Sequence, residues 1–170
     1  MNCRRGTAAA AIIVAVAASA SAFAQEAVRT GCRGVVYLTL DTGNMRHAEL
    51  IAETLHRYDV KATFFLANER TPRGDHALDA SWTDYWKARA AEGHAFGTHT
   101  WRHGRFLGDV AGGAVRYRPQ FGEDAGHELT LTPAQVCEEL RRVGSTFEAM
   151  TGQVLDPVSV SYTHLTLPTN

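Results

Sequence analysis

The feature that most constrains the fold is the alternation of short apolar runs with longer segments of helical periodicity. The first run, GVVYLTL, is β-branched and apolar, as buried strands are. The next segment carries Leu50, Ile51, Leu55 and Tyr58 at helical spacing. Because strands that alternate with helices form parallel sheets, an α/β fold is predicted, with functional residues at the carboxyl ends of the strands. The predicted strands are Gly34–Leu40, Val60–Leu66 and Ala95–Thr98, and the predicted helices are Met45–Tyr58 and Ser81 to about Glu92, the second opened by a Ser81–Asp84 capping box.

A third helix is predicted in the second half of the chain. Before it, residues 104–130 are Gly-rich and polar and show no clear period. Thr132 and Pro133 suit the N-cap and the first helical position, and Gly152 suits the C-terminal cap. Apolar residues repeat along one face of this helix at Val136, Leu140, Val143, Phe147 and Met150.

The first 24 residues have the layout of a secretory signal peptide. Arg4 and Arg5 form a basic start, residues 8–18 are apolar, and a small-x-small site at residues 22–24 precedes Gln25. An uncleaved anchor is the alternative, but the apolar run is short and Ala-rich compared with the ~20 residues that span a bilayer. We therefore expect cleavage before Gln25 and export to a bacterial periplasm or beyond, with no stable membrane anchor afterwards.

Charge and cysteine content limit which binding partners and which disulfides are expected. Without Arg4 and Arg5, 15 basic residues stand against 18 acidic ones, and no basic stripe suggests nucleic acid as a partner. Cys3 is lost with the leader, which leaves Cys32 and Cys137. An oxidising compartment favours a disulfide between them. The α/β layout, however, tends to place them at opposite ends of the sheet, so we expect them to be unpaired.

The end of the chain reads VSYTHLTLPTN, Val160 to Asn170, and continues no strand or helix period. Back-translated, it fits the transposon-end adapter of sequencing libraries, read through in frame. We therefore expect residues 25–159 to be part of one domain, residues 160–170 to be an artefactual tail, and His164 not to belong to the protein. A chain truncated in this way is expected to be inactive.

Two polar motifs follow predicted strands. Asp41 ends the first strand in LTLDTGN, and His99 and His103 follow the third strand in HTWRH. Because the carboxyl ends of parallel strands lie at one edge of the sheet, these side chains are predicted to lie near one another. Imidazole nitrogen binds zinc at about 2.0–2.1 Å, and a carboxylate can deprotonate a water. These residues are therefore the parts of a metal-assisted hydrolase.

Each of these residues also has a structural explanation. Asp41 lies close to Gly43, and aspartate is common in such turns. A pair of histidines four positions apart can arise by chance in a chain with eight of them. His94 precedes the third strand and is expected to be structural. HTWRH lacks the glutamate of HExxH, which disfavours a zincin protease.

Taken together, YLTLDTGN, KATFFL and EGHAFGTHTWRH are similar to the NodB-homology polysaccharide deacetylase family, of carbohydrate esterase type. The resemblance covers residues 34–103 and extends to the helix that ends at Gly152. It implies a distorted (β/α) barrel, truncated here, and a divalent-metal hydrolase that removes acetyl groups from a sugar polymer. It also implies that Asp41 is the catalytic base and that His99 and His103 hold the metal, expected to be zinc.

Two departures from the family pattern affect the site. Thr42 stands where the family has its metal-ligating aspartate, and a hydroxyl brings no negative charge and binds divalent ions weakly. We therefore expect a weaker metal site, with Thr42 a doubtful ligand and the amide oxygen of Asn44 a candidate replacement. RPQFG at Arg118–Gly122 resembles the family's later Arg-Pro motif but precedes the last helix, so we interpret it as a loop. The family's own motif and its general-acid histidine would follow Ser159.

Three functions remain open at this point. The first is a metal-dependent hydrolase that removes acetyl groups from a polysaccharide or amino-sugar substrate. The second is a non-catalytic carbohydrate-binding relative, in which Trp82, Tyr85 and Trp101 could stack on sugar rings, although aromatics in such positions more often belong to the core. The third is a hydrolase of another non-peptide C–N bond on the same fold.

Overall fold

A computed structural model describes Gly34 and residues 36–155. The chain forms a parallel sheet of three strands, β1 (Thr39–Asp41), β2 (Thr63–Leu66) and β3 (Ala95–Thr98), in the order β1-β2-β3. The parallel sheet predicted from the sequence is thus confirmed, and β3 has the predicted bounds. The predicted first and second strands are longer than the observed ones. Val36 and Val60, which the prediction included, are exposed, and β1 is an edge strand of the described sheet.

Two helices connect these strands. α1 (Ala48–Arg57) follows β1 and α2 (Thr83–Ala91) follows β2, each as a crossover between parallel strands. α1 begins three residues later than predicted, since Met45 has a positive φ of 61° that a helix does not accept. The prediction of a Ser81–Asp84 capping box is wrong. Residues 80–82 form a 3₁₀ turn, and the Ser81 hydroxyl donates to Asp75 Oδ2 at 2.6 Å.

The main core lies between the parallel sheet and the helices. Phe96 of β3 packs against Phe147, with ring centroids 4.6 Å apart, and Phe64 of β2 meets Trp86 of α2 edge-on at 6.0 Å. All four side chains are buried. Burying each large apolar side chain contributes roughly 1.5–3 kcal/mol, so this cluster fixes β2 and also β3, the strand that the HTWRH motif follows.

The long helix α3 (Pro133–Thr151) confirms the prediction for the second half of the chain. Thr132 caps it by accepting from Gln135 N, and the Gln135 side chain accepts from Thr132 N, which completes a capping box. Gly152 ends the helix with a φ of 78°. Of the predicted apolar face, Val143 and Phe147 are fully buried in the main core.

A second sheet occupies the stretch that showed no period. β4 (Arg105–Val110), β5 (Ala114–Arg118) and β6 (Leu129–Leu131) form an antiparallel sheet in the order β4-β5-β6. A small core of Phe106, Tyr117 and Leu131 lies beneath it. The sequence missed these strands because arginine and glycine alternate with few apolar residues, and the register shifts between Phe106 and Gly108.

Several predictions concern residues outside the described part of the chain: the signal peptide, Cys32 and residues 160–170. Cys137 is exposed in the first turns of α3 and forms no disulfide with another described residue. Within residues 36–155, no helix has the length and apolar character needed to cross a membrane.

Candidate functional site

The end of β1 places Asp41 and Thr42 in different surroundings. Thr42 is buried: its N–H donates to Phe65 O at 2.8 Å, and its hydroxyl oxygen accepts from Ala67 N at 3.1 Å. The Thr42 side chain therefore serves the pairing of β1 with β2. The Asp41 side chain is about half exposed, and its Oδ2 atom lies 3.7 Å from His99 Nε2. Asp41 and His99 thus meet at one edge of the sheet, as predicted.

The HTWRH segment is a strained turn and not part of a helix. His99 continues β3, donating its N–H to Leu66 O at 2.7 Å. Thr100 and His103 then adopt left-handed backbone conformations, with φ of 67° and 46°. Such conformations cost about 1–3 kcal/mol each, and at a β-branched residue such as Thr100 they are uncommon. The spacing of four residues therefore brings the histidines together through this turn.

A carboxylate from α3 holds the turn in place. Glu139 accepts hydrogen bonds from the Arg102 N–H at 3.1 Å and from Arg102 Nε at 2.7 Å, and its backbone carbonyl accepts from Trp101 N at 2.9 Å. The Tyr117 hydroxyl donates to the same carboxylate at 3.0 Å, and burial raises the pKa of this phenol well above its usual range. Because Tyr117 stays protonated, its hydroxyl remains a hydrogen-bond donor. Glu139 therefore fixes the strained turn through Trp101 and Arg102, and Tyr117 holds the Glu139 carboxylate in turn.

The two motif histidines form a close pair. Their ring centroids are 4.7 Å apart with an interplanar angle of 61°. The His99 side chain is 1% exposed and that of His103 is 16% exposed, so both rings are shielded from water. Two imidazoles that share a zinc ion at ~2.0–2.1 Å per bond have ring centres about 5 Å apart. The spacing of this pair is therefore suited to one ion.

Glu69 belongs to this site, although the sequence reasoning missed it. One carboxylate oxygen, Oε1, contacts Nδ1 of His103, and the side chain is 21% exposed. The other oxygen lies over Gly43, where a Cβ atom would come within 3.1 Å of it. Glu69 follows the end of β2 by three residues, so the rule that selected Asp41 and His99 could also have found it.

Two other residues considered in the sequence analysis, Asn44 and His94, do not join the site. The amide oxygen of Asn44 accepts from Arg46 N at 3.1 Å in an exposed local turn, so the structure does not direct it toward the histidines. His94 lies at the start of β3, at the opposite end of the strand from His99. It is buried and its Nδ1 accepts from Ala62 N at 3.1 Å, in agreement with the structural role predicted for it.

The aromatic residues considered for sugar stacking mostly serve the core. Trp82 is buried and its indole N–H donates to Asp75 Oδ1 at 3.2 Å. The Tyr85 hydroxyl donates to Ala48 O at 3.0 Å. Trp101 is partly buried, with the guanidinium of Arg142 4.0 Å from its ring centroid. The RPQFG segment starts at the end of β5 and precedes α3, so its interpretation as a loop stands.

The donor set suits a divalent transition ion in its chemistry. It offers two shielded imidazoles and two carboxylates, and Gly43 leaves the space that the Glu69 carboxylate occupies. Among the described residues, no three His, Cys, Asp or Glu side chains are already grouped at the spacing of a metal site. The pair His99 and His103 would hold such an ion.

Comparison with known proteins identifies the family. Residues 29–169 match the polysaccharide deacetylase family, and the chain belongs to it. Together with the parallel order of β1, β2 and β3, this membership confirms the predicted fold class, a part of a (β/α) barrel of the deacetylase type. The match includes residues 160–169, which the sequence predicts to be an artefactual tail and which lie outside the described part of the chain.

Similar solved structures include a family 4 carbohydrate esterase from Bacillus anthracis, with 24% identity and a TM-score of 0.48 over 72% of this chain and 45% of that one. A second is the catalytic domain of a peptidoglycan N-acetylglucosamine deacetylase from Eubacterium rectale, with 18% identity and a TM-score of 0.47 over 73% and 43%. A third is the chitin deacetylase of Colletotrichum lindemuthianum, with 22% identity and a TM-score of 0.47 over 68% and 40%. The chain spans less than half the length of these structures. Comparison with curated proteins gave no significant match.

Proposed function

We propose that the full-length protein is an exported, metal-dependent hydrolase that removes acetyl groups from a polysaccharide or amino-sugar substrate. Asp41 is the catalytic base, and His99 and His103 hold one divalent ion, expected to be zinc. One observation carries the proposal: in a chain of this family, a carboxylate lies 3.7 Å from one of two imidazoles paired at 4.7 Å, at the edge where parallel strands end.

The surroundings of Asp41 suit a general base. Its side chain is about half exposed, so a water can reach it, whereas the neighbouring His99 is buried. A base must lie within hydrogen-bond reach of the proton that it removes, and a half-exposed carboxylate leaves room for a water at that distance. When bound, a divalent ion supplies polarisation of the acetyl carbonyl and lowers the pKa of a bound water.

The overall reaction is a hydrolysis. Water adds its oxygen to the acetyl carbon, the C–N or C–O bond to the sugar breaks, and acetate leaves. Asp41 takes a proton from the attacking water, and the sugar amine or hydroxyl must gain one as it departs. The family resemblance implies a general-acid histidine, which would deliver that second proton.

The test uses the full-length protein and measures acetate release from acetylated chitin oligomers and from peptidoglycan. We expect release by the wild type, and its loss together with zinc affinity in His99→Ala and His103→Ala. His56→Ala, in the last turn of α1, is the matched control and should change neither quantity. Acetate release that survives in His99→Ala, with no zinc bound by the wild type in calorimetry, would exclude the metal-dependent mechanism. Glycan binding without release would instead favour a carbohydrate-binding relative.

A further inference from the structure

We propose that Glu69 is a positioning residue of the metal centre. It holds His103 through Nδ1 and supplies the negative charge that the family pattern places at position 42 and that Thr42 lacks. This inference rests on the metal-dependent function proposed above. Glu69 follows β2, whereas the two polar motifs follow β1 and β3, so neither motif includes it.

The backbone fixes Glu69 beside the HTWRH turn. Asn68 N donates to Trp101 O at 3.1 Å, which ties the segment after β2 directly to that turn. The Glu69 carbonyl accepts from Ala77 N at 2.9 Å, and the Asn68 side chain accepts from Leu78 N at 2.9 Å. The position of Glu69 is therefore set by strand pairing and by its own loop, and not by the contact with His103 alone.

The Glu69 carboxylate connects the two motifs. Oε1 contacts His103 Nδ1, and Oε2 lies over Gly43, next to Thr42 in the chain. At Gly43, any side chain would crowd that oxygen, since a Cβ atom would lie 3.1 Å from it. The Thr42 hydroxyl already accepts from Ala67 N. The Glu69 carboxylate thus contacts His103 with one oxygen and lies beside Gly43, the residue after Thr42, with the other.

The contact determines which imidazole nitrogen faces an ion. An ionised carboxylate only accepts hydrogen bonds, so a His103 ring that binds an ion would carry its proton on Nδ1 and present the lone pair of Nε2 to the ion. Carboxylates that accept from the second nitrogen of a ligating histidine orient the ring and raise its basicity. Glu69 and His103 are both largely shielded, which strengthens the attraction between the carboxylate and a cation nearby.

The experiment measures zinc affinity of the full-length protein by calorimetry with zinc alone, together with nitrogen NMR of the His103 ring in metal-free protein. Glu69→Gln removes the charge and keeps an acceptor, whereas Glu69→Ala removes both. We expect roughly 10–100-fold weaker binding in Glu69→Ala, a smaller loss in Glu69→Gln, and loss of the Nδ1–H tautomer preference in Glu69→Ala. Glu53→Ala, on the exposed face of α1, is the matched control and should bind zinc like the wild type.

A second variant tests the same contact from Gly43. Gly43→Ala should weaken zinc binding in the wild-type background but not in Glu69→Ala, where no carboxylate is crowded. Cobalt-loaded wild type and Glu69→Gln should show the same ligand-field spectrum at saturation. A changed spectrum would make Glu69 a direct ligand and overturn the positioning role. Equal zinc affinity in wild type and Glu69→Ala would overturn the proposal while the function stands, whereas a wild type that binds no zinc would overturn both.

Discussion

Asp41 and His99 meet although their strands are not neighbours: Oδ2 of Asp41 lies 3.7 Å from Nε2 of His99, while β2 lies between β1 and β3 in the sheet. The two side chains therefore approach each other across the end of the central strand. Asp41 is the last residue of β1 and His99 directly follows β3. Each strand end is fixed to β2 by a backbone hydrogen bond, from Thr42 N to Phe65 O and from His99 N to Leu66 O.

Replacing Asp41 tests its role as base. In Asp41→Asn the shape is kept but the side chain no longer takes a proton, so we expect acetate release to fall about 10²–10⁴-fold. Zinc affinity by calorimetry should change little, because two imidazoles remain as ligands. Asp59→Asn, at an exposed turn beside Lys61, is the control and should retain full activity. Loss of zinc binding in Asp41→Asn would show instead that Asp41 is a ligand.

Restoring a carboxylate at position 42 should tighten the metal site. Thr42 is buried, and an aspartate there brings a negative charge toward the ion in a partly dry site. We expect Thr42→Asp to bind zinc about tenfold or more tightly, and to unfold more easily when zinc is absent, because the buried charge is then uncompensated.

The control for this substitution is Thr42→Val. It removes the acceptor for Ala67 N and should cost about 1–3 kcal/mol of stability in chemical denaturation. Zinc affinity should stay near that of the wild type, since the Thr42 hydroxyl is not expected to ligate. A large loss of zinc affinity in Thr42→Val would mean that the hydroxyl does bind the ion.

Local sequence predicted the edge of the sheet on which the site lies. Asp41 and His99 could be placed because each follows a short apolar run, and parallel strands end together. β3 was predicted with its observed bounds, since Gly93 (φ 84°) ends the preceding helical turn and a buried Phe96 follows. The same reasoning missed Glu69, which stands two residues beyond the buried Ala67.

Tertiary contacts decided what the sequence could not show. Glu139 holds the turn that contains the left-handed Thr100 and His103 through its bonds with Trp101 and Arg102. It lies far along the chain on α3, and nothing within the HTWRH motif predicts this contact. The strands β4 to β6 are likewise stabilised by pairing with one another. Their own sequences give a weak strand signal, because Arg105, Arg116 and Arg118 leave little apolar alternation.

Gly104→Ala tests whether the packing beneath the turn maintains the site. A Cβ atom at Gly104 would lie 2.0 Å from Cζ of Tyr117, whose ring is fully buried and hydrogen-bonded to Glu139. We expect a loss of at least about 1–3 kcal/mol in the free energy of unfolding, and weaker zinc binding as the turn shifts. Gly144→Ala is the control: its Cβ meets no atom within 4 Å, and alanine should stabilise α3 by up to about 1 kcal/mol. Equal stability in the two variants would mean that Tyr117 moves aside without cost.

Processing of the leader is tested on exported protein. Because residues 22–24 form a small-x-small site, the mature chain is expected to begin at Gln25. Intact-mass measurement of protein recovered from the periplasm or the medium checks this. Replacing Ala24 by a bulky residue should retain the leader, whereas Gln25→Ser should not. A mature protein that still carries Arg4 and Arg5 would contradict the prediction.

The pH dependence of stability should report on His94. Burial lowers the pKa of this imidazole, with Glu92 acting in the opposite direction and Lys61 and Arg89 adding to the decrease. In the folded protein its Nδ1 accepts from Ala62 N, a bond that needs the unprotonated nitrogen. The unfolded chain binds a proton with a pKa near 6.5, so the stabilising contribution is complete above that pH.

As the pH falls below about 6.5, the unfolded state gains the proton before the folded state does. The free energy of unfolding should therefore decline toward the lower, folded-state pKa, with a slope for this one group of up to about 1.4 kcal/mol per pH unit. His94→Asn keeps an acceptor for Ala62 N without titrating, and should show a shallower decline between pH 7 and pH 5 in denaturant titrations. The other histidines contribute equally to both proteins, so the difference between the two curves isolates His94. Superimposable slopes would show that the folded protein protonates His94 as readily as the unfolded chain does, and that the bond to Ala62 does not depend on a neutral ring.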